Sequence, residues 1–159
     1  MFKFSEENLV QMQKILTRYP DGKKASAVLP LLHLAQRQNS GHISPDVIEY
    51  LATLLPLSTI KIQEVVSFYS MFYQKPVGKY LIQICGTTPC MLRGSENLQQ
   101  ICYKKLGIKN HETTTDGNFT LVEVECLGAC TGAPVVQIND NYYENLTEDS
   151  LVQLLETLS

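Results

Sequence analysis

Four cysteines are the residues of this sequence best placed to do chemistry. They stand as Cys85-Gly86-Thr87-Thr88-Pro89-Cys90 and, thirty-five residues later, as Cys126-Leu127-Gly128-Ala129-Cys130. Each pair follows an apolar, strand-like run: Tyr80-Leu81-Ile82-Gln83-Ile84 before the first, Leu121-Val122-Glu123-Val124-Glu125 before the second. The loops are rich in small residues, which leave backbone N–H groups free to point at the sulfurs. Four Cys thiolates are a common ligand set for Fe–S clusters, and such a centre is an anion that those N–H groups stabilise. The leading reading is therefore a [2Fe–2S] electron-transfer centre. A four-cysteine zinc site is one alternative and a dithiol redox pair another. The four residues between Cys85 and Cys90 weaken the dithiol option, which wants Cys-x-x-Cys at the first helix.

Elements must bring the two loops together. Met91 to Leu106 is amphipathic and long enough for a crossover helix between two strands. Strand, helix, strand reads as a βαβ unit with parallel strands, so that both loops leave the same edge of one sheet. The predicted order is strand 80–84, helix 91–106, strand 120–125, strand 134–138, strand 141–144 and helix 148–158. Asn139-Asp140 signals a tight hairpin turn between the last two strands. This is a shortened thioredoxin-like topology with a four-stranded mixed sheet, in which the loop 126–133 replaces a helix. The polar connector 109–118 reads as mobile. Cys90 falls at the start of the crossover helix, whose dipole favours negative charge, with Arg93 one turn in. Glu123 and Glu125 act the other way. All-thiolate centres of the plant type lie near roughly −400 mV, so a low potential is expected. Cys102 lies on the inward face of the helix and reads as core.

The first half is helical by pattern. Ser5 caps a helix from Glu6 to about Arg18, and a second runs from about Lys24 to Gln38 with Pro30 in its first turns. Ser44-Pro45 opens a third, which Pro56 stops. Ser58 caps a fourth that runs into Phe68-Tyr69-Ser70-Met71-Phe72-Tyr73. That aromatic run reads first as core and second as a docking surface. No two histidines stand at metal-ligand spacing. The fold class is thus α+β, with residues 1–75 a helical bundle that serves as docking domain and residues 76–159 a thioredoxin-like cluster domain.

Composition narrows the function. At 159 residues and 44% hydrophobic content the chain can fill a core. No apolar run is long enough to span a bilayer, and no signal peptide is evident. Five cysteines without an export signal favour a reducing compartment over a disulfide framework. Residues 1–80 hold nine basic and six acidic residues, and the remainder four and ten, so the halves carry +3 and −6 within the total of −3. An acidic second half argues against nucleic-acid binding. There is no Gly-x-Gly-x-x-Gly after a strand, hence no dinucleotide fingerprint, and no hydrolytic triad.

The two cysteine blocks resemble the thioredoxin-like [2Fe–2S] ferredoxin family. Val65-Val66-Ser67-Phe68-Tyr69-Ser70-Met71-Phe72, Pro76-Val77-Gly78-Lys79-Tyr80 and Glu125-Cys126-Leu127-Gly128-Ala129-Cys130-Thr131-Gly132-Ala133-Pro134 are similar to its branch that forms the 24 kDa, or E, subunits of respiratory complex I. The resemblance implies one [2Fe–2S] cluster, with Cys85 and Cys90 on one iron and Cys126 and Cys130 on the other. It implies a partner subunit that binds NADH and FMN and carries a [4Fe–4S] cluster, with which single electrons are exchanged. It implies a place in the peripheral arm of an NADH:quinone oxidoreductase, a translocase of the respiratory chain, on the cytoplasmic side of a bacterial inner membrane or the matrix side in a mitochondrion. No complete active site is expected on this chain, and FMN and NAD belong to the partner. The equivalent subunit of an NAD-linked hydrogenase or formate dehydrogenase, a zinc-binding adaptor and a free ferredoxin shuttle are the rival readings.

Overall fold

The computed structural model describes residues 1–158. The chain divides into two compact units, the first Met1–Pro76 and the second from Val77 onward.

The first unit is helical. Helices α1 (Glu6–Leu16), α2 (Val28–Gln38), α3 (Pro45–Leu54) and α4 (Thr59–Phe68) share one buried cluster that includes Met12, Leu31, Leu32, Val47, Leu51, Ile62 and Val66. Ser5 caps α1 as expected, its hydroxyl accepting from the Asn8 N–H at 3.3 Å. The second helix does not run unbroken from Lys24. Residues Lys24–Ala27 form a 3-10 turn, which places Pro30 in the first turn of α2 where a missing N–H breaks no helical bond. Nor does α4 continue through the aromatic run. It stops at Phe68, and the run divides by residue: Phe72 is buried, Tyr69 packs at the core edge, and Phe68 is 80% exposed.

The second unit is built on a five-stranded mixed sheet of order β2-β3-β1-β4-β5. Its strands are β1 (Tyr80–Cys85), β2 (Glu112–Thr113), β3 (Phe119–Val124), β4 (Val136–Ile138) and β5 (Asn141–Tyr143). The expected four strands are corrected to five. The extra one, β2, comes from the connector read as mobile. It pairs antiparallel with β3, Glu112 opposite Leu121 and Thr113 opposite Thr120, with the two threonine hydroxyls 2.8 Å apart. Asp116 fixes the turn beyond it by accepting from the backbone N–H of Asn118 at 3.0 Å. Two polar residues without apolar alternation carry no strand signal; the edge of β3 supplies the hydrogen bonds that order them.

Strands β1 and β3 are parallel, in register from Tyr80 opposite Phe119 to Cys85 opposite Val124. Strand β4 pairs antiparallel on the other side of β1. The crossover is not one helix from 91 to 106. It splits into α5 (Thr88–Leu92) and α6 (Ser95–Leu106). Gly94 causes the break, at φ +90°, a conformation that ends an α-helix and that glycine enters without steric cost. Helix α6 and the final helix α7 (Glu148–Leu158) pack with β1 around Ile82, Ile84, Leu98, Cys102, Leu121, Leu151 and Leu155.

Ile82 is fully buried at the centre of β1, between its partners Leu121 and Ile138. Ile82→Ala is expected to remove about 2–5 kcal/mol of stability, read as a lower urea midpoint with an unchanged denaturant slope.

Candidate metal centre

Cys85 is the last residue of β1. Its backbone N–H donates to Val135 O at 3.2 Å, and that of Gly86 donates to Val124 O at 2.8 Å. The chain is thus held at both neighbours as it leaves the sheet. Thr87 comes next in extended backbone, then α5 makes little more than one turn with Pro89 at its start. Cys90 sits within α5, so it belongs to a short separate turn rather than to the start of a long helix. The expected contribution of a long helix dipole at Cys90 is corrected accordingly. Arg93 closes α5 at its C-cap and lines a 470 Å³ surface cleft with Asn97, Asn145 and Glu148.

The second loop covers the first pair. Cys85 and Cys90 are 2% and 1% exposed, and form a small cluster with Ala133 and Val135 against which Leu127 and Ala129 pack. Every member except the two cysteines comes from the segment after β3. The parallel register therefore does bring the two loops together.

Cys126 and Cys130 are exposed. Cys126 lies two residues beyond β3, and Cys130 opens the 3-10 turn Cys130–Gly132. Gly128 stands at φ +74°, which lets its N–H fold back and donate to Cys126 Sγ at 3.3 Å. The loop is tied down by the Tyr142 hydroxyl, which donates to Leu127 O at 3.1 Å, and by the Asn145 N–H, which donates to Gly132 O at 2.6 Å. Thr87 and Tyr142 carry no clear signal in the sequence. Thr87 leaves one trace, a hydroxyl residue two positions after a ligand candidate; Tyr142 leaves none, because strand pairing brings it to the loop.

The first two thiols are electrostatically unequal. At Cys85, burial opposes ionisation, but the Thr87 hydroxyl, the Thr87 and Leu127 backbone N–H groups and the Cys90 thiol all favour it, and the net effect lowers the pKa. At Cys90, burial raises the pKa, and hydrogen bonding to Cys85 and the charges of Cys85 and Cys130 raise it further, to about 11.

Among the described residues no group of three or more His, Cys, Asp or Glu side chains is arranged to hold one metal ion. A tetrahedral zinc site needs four donors about one point. Two thiols from each loop, with N–H groups directed at the sulfurs of Cys85, Cys90 and Cys126, fit a two-iron centre, in which each iron needs only two thiolates.

Cys102 is separate from all of this. It is fully buried in the core beside α7 and β1, and burial pushes its thiol up to about 12. The folded state then keeps its proton where the unfolded chain, with a thiol near 9, loses it. Stability from this residue is fully present below pH 9 and declines as pH rises towards 12. The stability advantage of the wild type over Cys102→Ala should therefore shrink across that interval in urea titrations run at several pH values.

Two glycines offer a contrast. A Cβ at Gly132 would fall on the Glu144 side chain, 2.7 Å from its Cβ, so backbone must move. At Gly86 an added Cβ meets the carboxyl end of Glu123, which can swing away. Gly132→Ala should lower bound iron per chain several-fold after anaerobic purification, whereas Gly86→Ala should retain most of it.

The family model for thioredoxin-like [2Fe–2S] ferredoxins matches residues 12–159, and the chain belongs to that family. The E subunit of NADH-quinone oxidoreductase from Rickettsia conorii is 54% identical over 157 residues, covering 99% of this chain and 94% of that protein. The mitochondrial NADH dehydrogenase [ubiquinone] flavoprotein 2 of Dictyostelium discoideum is 49% identical over 157 residues, covering 99% of this chain and 64% of that protein. Among solved structures, an NAD⁺-reducing [NiFe]-hydrogenase in the H2-reduced state superposes with a TM-score of 0.74 at 23% identity, over 84% of this chain and 22% of that one. The likeness to the hydrogenase is one of fold.

Proposed function

We propose that this member of the family holds one [2Fe–2S] cluster on Cys85, Cys90, Cys126 and Cys130 and serves as an electron-transfer subunit of an NADH:quinone oxidoreductase. The observation that carries the reading is the meeting of two cysteine-pair loops at the ends of the parallel strands β1 and β3. Near-full-length identity of about half to subunits of that enzyme, from a bacterium and a mitochondrion, supports the choice of complex. It also favours that complex over a hydrogenase or formate dehydrogenase module.

Cys85 and Cys90 would hold one iron in the covered part of the site, and Cys126 and Cys130 the other at the open edge. When bound, the cluster supplies one-electron chemistry. The protein orients the sulfurs and excludes water from the first pair. It also directs hydroxyl and N–H dipoles at Cys85 and an N–H dipole at Cys126. The open edge, where Cys126 and Cys130 are exposed, is the side a partner subunit approaches. That partner is the flavin- and NADH-binding subunit with its own [4Fe–4S] cluster. The helical unit acts as a docking arm through apolar side chains left in solvent, Ile60 at 62% and Phe68 at 80%. Among the described residues no helix is long and apolar enough to cross a membrane. Likeness to subunits of that enzyme supports a place in its peripheral arm, on the cytoplasmic or matrix side, held by protein contacts.

Anaerobically purified protein should contain about two irons and two sulfides per chain and give, after dithionite, the paramagnetic signal of one reduced [2Fe–2S] centre. Each of Cys85→Ser, Cys90→Ser, Cys126→Ser and Cys130→Ser should diminish that signal, and Cys102→Ala should preserve it. A single zinc that persists through iron–sulfur reconstitution would overturn the reading.

A further inference from the structure

Thr87 occupies the N-cap position of α5, with the extended backbone that position requires (φ −76°, ψ 161°). Threonine is favoured there because its hydroxyl accepts from a backbone N–H of the first turn. In this protein that capping bond is not made. The hydroxyl lies instead 3.3 Å from Cys85 Sγ. In a free thiol pair either group could donate. A metal-bound thiolate has no proton to give, so its hydrogen bond must come from the hydroxyl.

We propose that Thr87 is a positioning residue that tunes the centre: its hydroxyl donates to the Cys85 sulfur of the assembled cluster and raises the reduction potential. The inference rests on the ligand set under Proposed function. The physical reason is the charge added on reduction. The all-thiolate centre is already anionic, and a dipole directed at one of its sulfurs stabilises the more negative state more than the less negative one. Hydrogen bonds to cluster sulfurs are among the levers that set Fe–S potentials. The site is well made for this lever. Cys85 is covered, so water does not replace a lost donor, and the low local dielectric strengthens the bond. Cys90, equally covered, accepts a backbone N–H from Val135 and itself donates to Cys85, so among the described residues no other side-chain hydroxyl does the same work on the covered pair. The acidic balance of residues 81–159 pulls the potential down, and Thr87 opposes it at short range.

The test compares Thr87→Val, which keeps the shape and removes the donor, with Thr87→Ser, which keeps the donor. Full-length protein carrying its cluster is titrated potentiometrically, with the reduced signal tracked by electron paramagnetic resonance. Thr87→Val should shift the midpoint negative by roughly threefold to tenfold in the one-electron equilibrium, about 30–60 mV. Thr87→Ser should stay close to wild type. If Thr87→Val does not retain cluster, Thr87→Ala makes the same comparison with no side chain to misplace. A midpoint unchanged in the donor-free variant overturns the proposal, as does an equal shift in Thr87→Ser. Failure of the ligand set is a separate result, seen as wild-type protein that forms no [2Fe–2S] signal at all, and the inference falls with it. A purely structural role for Thr87 would lower the urea midpoint of the variants without moving the potential.

Discussion

The pairing of β1 with β3 is the constraint on which the site depends. Cys85 and Cys126 lie far apart in sequence, and no local turn can join their loops. Parallel register from Tyr80–Phe119 to Cys85–Val124 ends both strands at one edge. The loops that leave the two strands are then confined to the same small volume. Leu127, Ala129, Ala133 and Val135 from the second loop close over Cys85 and Cys90 there. The crossover through α5 and α6 serves this pairing, and its break at Gly94 frees α5 to hold Cys90 beneath the second loop rather than along the line of α6.

The resulting site is asymmetric. One cysteine pair is sealed by apolar atoms and the other faces solvent. Donors converge on Cys85 and, through Gly128, on Cys126, while Cys90 is held neutral by burial and by the negative charge that its neighbours can carry. Such a set of thiols resists collecting negative charge until a cation joins it, since the mutual repulsion of ionised sulfurs is relieved only by the metal. The covered side limits water and the open side limits the distance to a partner, which is the combination an electron carrier needs.

Much of the architecture is legible in the residues. Apolar periodicity locates the helices beginning at Glu6, Pro45, Thr59 and Glu148, and a Ser stands at the N-cap of the first three, because such signals are local, although Ser5 makes the capping bond and Ser44 and Ser58 do not. The parallel strand pair, the hairpin and the core placement of Cys102 rest on patterns of the same kind. Three of the features that depart from expectation do so for one reason. The Gly94 break, the 3-10 entry to α2 and the strand at Glu112–Thr113 each turn on a backbone conformation or a hydrogen-bonding edge supplied by the rest of the fold. A Gly inside an amphipathic run is compatible with an unbroken helix until the packing of Cys90 requires otherwise.

By itself the sequence determined the chemistry available: four thiols in two small-residue loops, each behind an apolar strand, and a fifth on an apolar helix face. Side-chain identity and spacing decide those matters, and both are written in the chain. The tertiary structure decided which thiols are covered, which donors reach which sulfur, and how the second loop is fastened. Thr87 could have capped α5 and turns to Cys85 instead. Tyr142 reaches Leu127 only because β5 joins the sheet beyond β4. Those choices depend on distances between segments remote in sequence, and only the folded packing of strands and loops sets them.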